Sequence, residues 1–315
     1  MKAPDGVPLV EVVRSGVVES VHRGSLVILD RDGSVRLALG VPDQPCFPRS
    51  SSKPLQAVGM LRAGLDLDGA DLALAAGSHS GEPAHLDRVR RMLRSGGIPE
   101  SALACPASYP LAEQAASALV AHGSEPLPIY MNCSGKHTAM LLTCRATGWP
   151  LEGYLDPDHP LQKALARTVL DLVGEPLAAV GVDGCGAPLF AHSLTSLARS
   201  FARMVSGRSG SRPRRVADAM RAHPEMVAGT GREDTVLMRA APGLLLKGGA
   251  EGVHAGALAS GAAFAFKLDD GAARARPPLI AAALRLLGVP LDEPDLTNPP
   301  VLGGGRRVGE LRTVV

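Results

Sequence analysis

Ser50 and Lys53, three residues apart in CFPRSSSKPLQA, form the first pattern in this sequence that could do chemistry. On a helix this spacing puts both side chains on one face, so the Lys53 amine could take the Ser50 proton and make the hydroxyl a nucleophile toward a carbonyl carbon. The mouth of a helix adds backbone N–H groups that favour a developing oxyanion. The same residues also read as a Ser-rich helix cap followed by an ordinary lysine. Only six of the 33 cationic residues are lysines, namely Lys2, Lys53, Lys136, Lys163, Lys247 and Lys267. Each merits inspection, because an amine can serve as a base where a guanidinium cannot.

Four further islands carry reactive residue types. AAGSHSGE brings Ser78, His79 and Ser80 to the end of an apolar run, where small hydroxyls can sit beside a reacting group or simply cap the next helix. His79 reads as a hydrogen-bonded structural histidine. IYMNCSGKHTAM puts Cys133, Lys136 and His137 in a turn that opens a helix, and GVDGCGAP puts Asp183 and Cys185 in a loop too rich in glycine for a helix interior. Two thiols in separate polar loops allow a divalent metal site, a redox pair or neither. In FAFKLDDG, Lys267 interrupts an alternating strand, either as a site amine or as an edge-strand lysine.

The rest of the chain must position these residues. Its 315 residues, 45% apolar and 20% charged with a net charge of +2, describe a folded chain with ample core, expected as a single catalytic domain over 1–315. That charge balance gives no basic nucleic-acid surface, and 3% aromatics with Trp149 as the sole tryptophan gives no base-stacking platform. The start, MKAPDGVPLVEVVRSG, lacks the apolar stretch of a signal peptide, and no apolar run is long enough for a membrane span. The expectation is a cytoplasmic protein with no membrane partner. Five cysteines, an odd number thinly spread, are expected as reduced thiols.

Gly24 to Asp30 and Ser34 to Gly40, joined through Asp32-Gly33, predict a β-hairpin. Apolar spacing predicts helices over Lys53 to Leu65, Glu82 to Arg94, Leu111 to Ala121, His159 to Val173, Ala191 to Val205, Arg214 to Ala222 and Pro278 to Leu287. Strands return at Gly243 to Gly248 and Ala262 to Leu268. The fold class that follows is α+β, with an antiparallel sheet formed by N- and C-terminal strands, flanking helices and a helical middle section.

An S-x-x-K pair early, a serine turn in the middle and a lysine on a late strand resemble the order found in penicillin-recognising serine acylhydrolases and related glutaminases. Here S-H-S stands where that group has S-D-N or S-x-N, and Leu268-Asp269 follows Lys267 where it has K-T-G. Taken together, RSSSKPLQA, GSHSGEP, NCSGKH, DHPLQ, GVDGCGAP and AHPEMVAGTGR resemble the L-asparaginase II family over most of the chain. The resemblance implies a serine β-lactamase/glutaminase-like fold and hydrolysis of L-asparagine. It implies two catalytic Ser–Lys tandems, Ser50 with Lys53 and Ser78 with Lys267. It implies a zinc site at Cys133, Lys136 and Cys185, no organic cofactor, and a homodimer. Asp183 and His137 fall on residues lining the substrate pocket, with Ser80 beside them. Because free asparagine is a zwitterion, Arg49 is expected to meet its carboxylate and Asp183 its ammonium. The alternatives are a glutaminase- or β-lactamase-like hydrolase of another amide, and a non-catalytic zinc- or ligand-binding relative.

Overall fold

The computed structural model describes residues 5–315, so Lys2 lies outside the described residues. The strands are β1 (Val7–Arg14), β2 (Val17–Leu29), β3 (Val35–Leu39), β4 (Ala179–Val182), β5 (Pro188–Ala191), β6 (Leu245–Gly248), β7 (Val253–Ala257), β8 (Ala263–Leu268), β9 (Pro300–Gly303) and β10 (Arg306–Thr313). The helices are α1 (Lys53–Ala63), α2 (Gly69–Ala75), α3 (Pro83–Ser95), α4 (Glu113–Ala121), α5 (Ser134–Thr147), α6 (Pro160–Val173), α7 (Leu194–Ser206), α8 (Arg212–Ala222), α9 (Pro224–Val227), α10 (Glu233–Ala240), α11 (Arg276–Leu286) and α12 (Pro294–Thr297).

Both chain ends build the main sheet, in the order β6-β7-β8-β2-β1-β10-β9, with β3 pairing β2. Every pairing is antiparallel, and β1 and β10 zip the two termini together from Val10 opposite Thr313 to Arg14 opposite Gly309. The fold is therefore α+β, with the sheet drawn from both ends and the helices from between. β2 is long enough to serve two neighbourhoods: its first half pairs β1, while Leu26 to Leu29 lie between β8 and β3. That Leu-Val-Ile-Leu run is fully buried, as a continuous apolar strand covered on both faces must be. α7 lies against β2, β7 and β8, and α11 against β1 and β10.

α1 runs through the helical half in contact with α5, α6 and α8, and every residue from Lys53 to Leu61 is buried. A helix enclosed all round needs no amphipathic stripe. The expected hairpin forms as β2–β3, its turn closed by Gly33 N–H to the Asp30 carbonyl. Most expected helices begin or end within about two residues of the observed ones, and the largest shift has a clear cause: Ala191 belongs to β5, paired with Ala179, and the helix starts at Leu194 because Ser193 caps it through the Ser196 N–H at 3.0 Å. All five cysteines are free thiols. Among the described residues, no helix is long and apolar enough to cross a membrane.

Candidate active site

Ser50 sits in a 3₁₀ turn, Arg49–Ser52, that leads directly into α1. Arg49 holds a φ of +51°, a left-handed conformation that costs a non-glycine residue about 1 kcal/mol. Its side chain fixes that geometry: Nε donates to Asp183 Oδ1 at 2.7 Å, and Nη1 lies 3.7 Å from Glu251 Oε1. The turn is also stitched to the end of β6, where Ser51 Oγ donates to the Lys247 carbonyl at 3.0 Å. Gly249 makes this approach possible, because a Cβ there would lie 2.6 Å from the Pro48 carbonyl oxygen. Ser50 itself is half-buried, and its hydroxyl has no hydrogen-bond partner among the described residues.

Lys53 is the first residue of α1 and only 1% exposed. Its amine donates to the Gly77 carbonyl at 2.7 Å and to Ser78 Oγ at 2.9 Å. The strand-like stretch carrying Ser78 is held by Ser78 N–H to the Val227 carbonyl, 2.7 Å, and a side chain at Gly77 would collide with the Met226 and Val227 carbonyls. Ser80 Oγ donates to the Ala228 carbonyl and receives Arg232. His79 is structural, as the sequence suggests. Its Nδ1 accepts from Gly81 N–H, its Nε2 meets Ser134 Oγ at 3.0 Å, and burial holds it neutral, well below the usual histidine range.

The expected tandem of Ser78 with Lys267 does not form. Lys267 lies on β8 between β2 and β7, and its amine donates to the Glu251 and Leu268 carbonyls at 2.8 and 3.2 Å. It borders a cavity of about 270 Å³ lined by Cys46, Phe47, Arg49, Glu251 and Asp269 among others. The amine on Ser78 is that of Lys53, and the second buried lysine of the site is Lys247 on β6, 1% exposed. Its amine donates to the Gly248 carbonyl at 2.6 Å and pairs with Asp234 at 3.5 Å. Burial lowers its pKa to about 8, with the charges of Lys53 and Arg232 adding to the effect and Asp234 opposing it. Lys247-Gly248-Gly249 carries the signal that could have found it: a lysine followed by glycines on a late strand, with the K-x-G spacing that Lys267 lacks.

Next to Lys53 lies a second cluster. Lys136, in the first turn of α5, donates to Cys185 Sγ at 3.1 Å, and Cys133, the cap of that helix, donates its Sγ–H to Asn132 Oδ1 at 3.0 Å. The neighbouring Cys185 holds the Cys133 thiol well below its ordinary value against the cost of burial, with Lys136 assisting, and Cys185 moves up in compensation. Burial pulls Lys136 down, but Cys185, Cys133 and Asp183 overcome it and hold the amine protonated. Asp183 Oδ2 is 3.8 Å from Cys185 Sγ, and its carboxyl is kept low, against burial, by Arg49 and Lys136. His137 Nδ1 meets the Tyr154 hydroxyl at 2.7 Å, while its buried Nε2 has no partner. Two thiols, an amine and a nearby carboxylate are a donor set that suits zinc. Arg49 and Asp183, expected at opposite ends of a substrate, are instead bonded to each other and join the serine turn to the thiol cluster.

A family description, L-asparaginase II, matches residues 10–313. The chain belongs to the L-asparaginase II family. Membership makes it an amidohydrolase. No curated protein matches the chain in sequence. Among solved structures, it is similar to a beta-lactamase from Mycobacterium bovis, with 13% identity, 84% of this chain and 94% of that chain covered, and a TM-score of 0.44. It is also similar to Mglu in its tris and glutamate form (14%, 91% and 64%, TM-score 0.39) and to EstCE1, a hydrolase with promiscuous acyltransferase activity (14%, 88% and 92%, TM-score 0.43).

Proposed function

We propose that this L-asparaginase II family member hydrolyses L-asparagine to L-aspartate and ammonia through an ester on Ser50. The observation that carries the reading is the buried Lys53 amine on Ser78 Oγ at 2.9 Å, one helical turn from the unpartnered hydroxyl of Ser50. Ser50 Oγ attacks the carboxamide carbon of the substrate side chain while the Lys53 amine takes its proton. The Ser78 hydroxyl gives its proton to the amide nitrogen and recovers one from Lys53, so the C–N bond breaks with neutral ammonia as leaving group and Lys53 returns to its starting state. Water then adds to the Ser50 ester, and its cleavage releases aspartate and restores the hydroxyl. Lys247 is the ammonium that stabilises the negative charge of the tetrahedral intermediates, while the proton transfer with Ser78 expected of Lys267 falls to Lys53.

Arg49 keeps N–H groups beyond its Asp183 bond for the substrate carboxylate, and Asp183 keeps Oδ2 for the substrate ammonium. Cys133, Cys185 and Lys136 are the residues that would hold zinc, with Lys136 giving up its proton to bind. Bound by these residues, zinc would supply a fixed positive charge that orients the pocket and the substrate's polar groups. The serine remains the nucleophile.

Ammonia release from asparagine, glutamine and a chromogenic β-lactam is the deciding assay. Turnover of asparagine ahead of the other two, abolished by Ser50→Ala, is the expected result. Turnover of none of them by folded protein would refute catalysis, and a covalent adduct trapped on Ser78 would overturn the assignment of the nucleophile. Elemental analysis finding no metal in fully active protein would remove zinc.

A further inference from the structure

Behind Lys247 lies a buried ion-pair network that the serine chemistry does not use directly. Asp234, second residue of α10, is 4% exposed and its two carboxylate oxygens are divided between three groups. Oδ1 meets His254 Nε2 at 2.7 Å, while Oδ2 accepts the Gly248 N–H at 3.0 Å and lies 3.5 Å from the Lys247 amine. His254 stands on β7 directly opposite Gly248 and is fully buried, with its Nδ1 unpartnered. The ring is thus committed to Asp234 alone. Burial alone would raise the Asp234 carboxyl, but His254 and Lys247 hold it well below the usual range, so it is an anion throughout the working pH range.

The other charges around Lys247 come from several elements. Lys53 faces it from α1, and Arg232 from the loop ahead of α10. Glu233 neighbours Asp234 on α10 but is taken by Arg276 of α11 at 2.7 Å, and Arg276 also donates to the Gly249 carbonyl. Glu233, Asp234 and His254 lie close enough together to suggest a metal site. Glu233 is paired with Arg276, and Asp234 with Lys247 and His254, so the cluster is an ion-pair network. Asp234 is the one anion in it that pairs with the Lys247 amine.

We propose that Asp234, held in place by His254, is a positioning residue that fixes where the Lys247 amine points and keeps it an ammonium during hydrolysis. This rests on the asparaginase reading for Lys247's role in turnover but not for its charge. An anion at 3.5 Å in a buried site favours the ammonium strongly, while burial itself and the neighbouring Arg232 oppose it, so Asp234 decides the balance. Removing its charge lets Lys247 lose its proton at lower pH. The alkaline limb of kcat/KM then moves down.

The experiment is an NMR titration of lysine Cε resonances in protein carrying labelled lysine, with the Lys247 signal assigned by its loss in Lys247→Arg, alongside pH profiles of ammonia release. In Asp234→Asn the Lys247 midpoint and the alkaline limb should both fall by about one pH unit or more. Asp234→Glu, which keeps the charge, should leave both within half a unit and covers the case in which D234N does not fold. An unchanged midpoint in D234N, or an equal fall in D234E, overturns the proposal. So does a limb that stays put while the midpoint falls. If the wild type releases no ammonia from asparagine, the asparaginase reading fails on its own and the NMR midpoints still decide the claim about Asp234.

Discussion

Gly249→Ala tests whether the spacing between the serine turn and β6 sets the rate. The added Cβ would lie 2.6 Å from the Pro48 carbonyl oxygen, 3.1 Å from Ser51 Oγ and 3.2 Å from Arg49 Cβ, where ordinary contact begins near 3.4 Å. The nearest of these is backbone and cannot rotate away, so turn and strand must part by about 0.8 Å. Ser50 rides on the turn and Lys247 on the strand, so the two reactive groups separate by a similar amount. A misplacement near 1 Å costs on the order of 100-fold in rate, and overpacking of this kind costs about 1–3 kcal/mol in stability. Gly256→Ala on β7 is the matched control, because its Cβ would press on the Phe264 ring at 2.7 Å and on Leu246, away from the turn. The measurements are kcat for ammonia release and thermal unfolding of both variants. G256A should lose stability and keep kcat within about threefold, whereas G249A should lose both. A folded G249A with kcat within twofold of wild type would refute the claim that the turn and β6 are held at a working distance.

Lys53→Met and Ser78→Ala should each cost on the order of 10²–10⁴ in kcat, and the double variant should fall no further than K53M alone, because a proton relay fails as a unit; additive losses in a kinetic double-mutant cycle would contradict the relay. Lys267→Met should stay within about tenfold of wild type, since its amine serves two carbonyls, while Lys247→Met should lose on the order of 10² or more; the reverse ranking in the same assay would restore Lys267 to the site. Lys247 has a folded-state pKa of about 8 against 10.5 unperturbed, so between those values the unfolded chain binds more protons and stability from this group rises with pH; urea unfolding should show wild type gaining up to about 3 kcal/mol relative to K247M from pH 8 to 10.5. Cys133→Ser should lower bound zinc measured by elemental analysis and also lower kcat, and loss of metal with unchanged kcat would make the thiol cluster purely structural.

Local pattern was enough for the elements that carry the chemistry. The S-x-x-K spacing put Ser50 and Lys53 at the start of a helix, the hairpin was written in its Asp-Gly turn, and the α+β layout followed from strands at both ends. Pairing in space was harder to read. Lys53 on Ser78, and Lys247 in place of Lys267, depend on β6 lying at the sheet edge against the Arg49–Ser52 turn. Nothing in either lysine's own strand states which neighbour that strand will have. Lys267 interrupts an alternating strand and so drew attention, whereas Lys247 ends a Leu-Leu-Leu run and looked like an ordinary strand terminus. Asp234 was invisible for a related reason: α10 has eight residues, too few for a clear helical period, and its partner His254 lies twenty positions away on β7. Cys133, Lys136 and Cys185 came together in the sequence only through family likeness. The 3.1 Å bond from Lys136 to Cys185 is a fact of the fold.

Lys53 is where the two halves of this site meet. Its amine bonds Ser78 and lies beside Cys133 of the Cys133–Cys185 pair. Arg49 makes the same connection from the other side, adjoining Ser50 in sequence and bonded to Asp183, whose second oxygen faces Cys185. A change in charge on the thiols, whether by metal or by a proton, is therefore felt at the amine that serves the serine relay and at the arginine that shapes the turn. In a buried site such coupling is weakly screened, because the effective dielectric there is low and mobile ions are kept out. The left-handed strain at Arg49 persists for the same reason: the bonds that join the two clusters also hold that residue, and releasing it would leave Asp183 facing Cys185 without the guanidinium that keeps its charge.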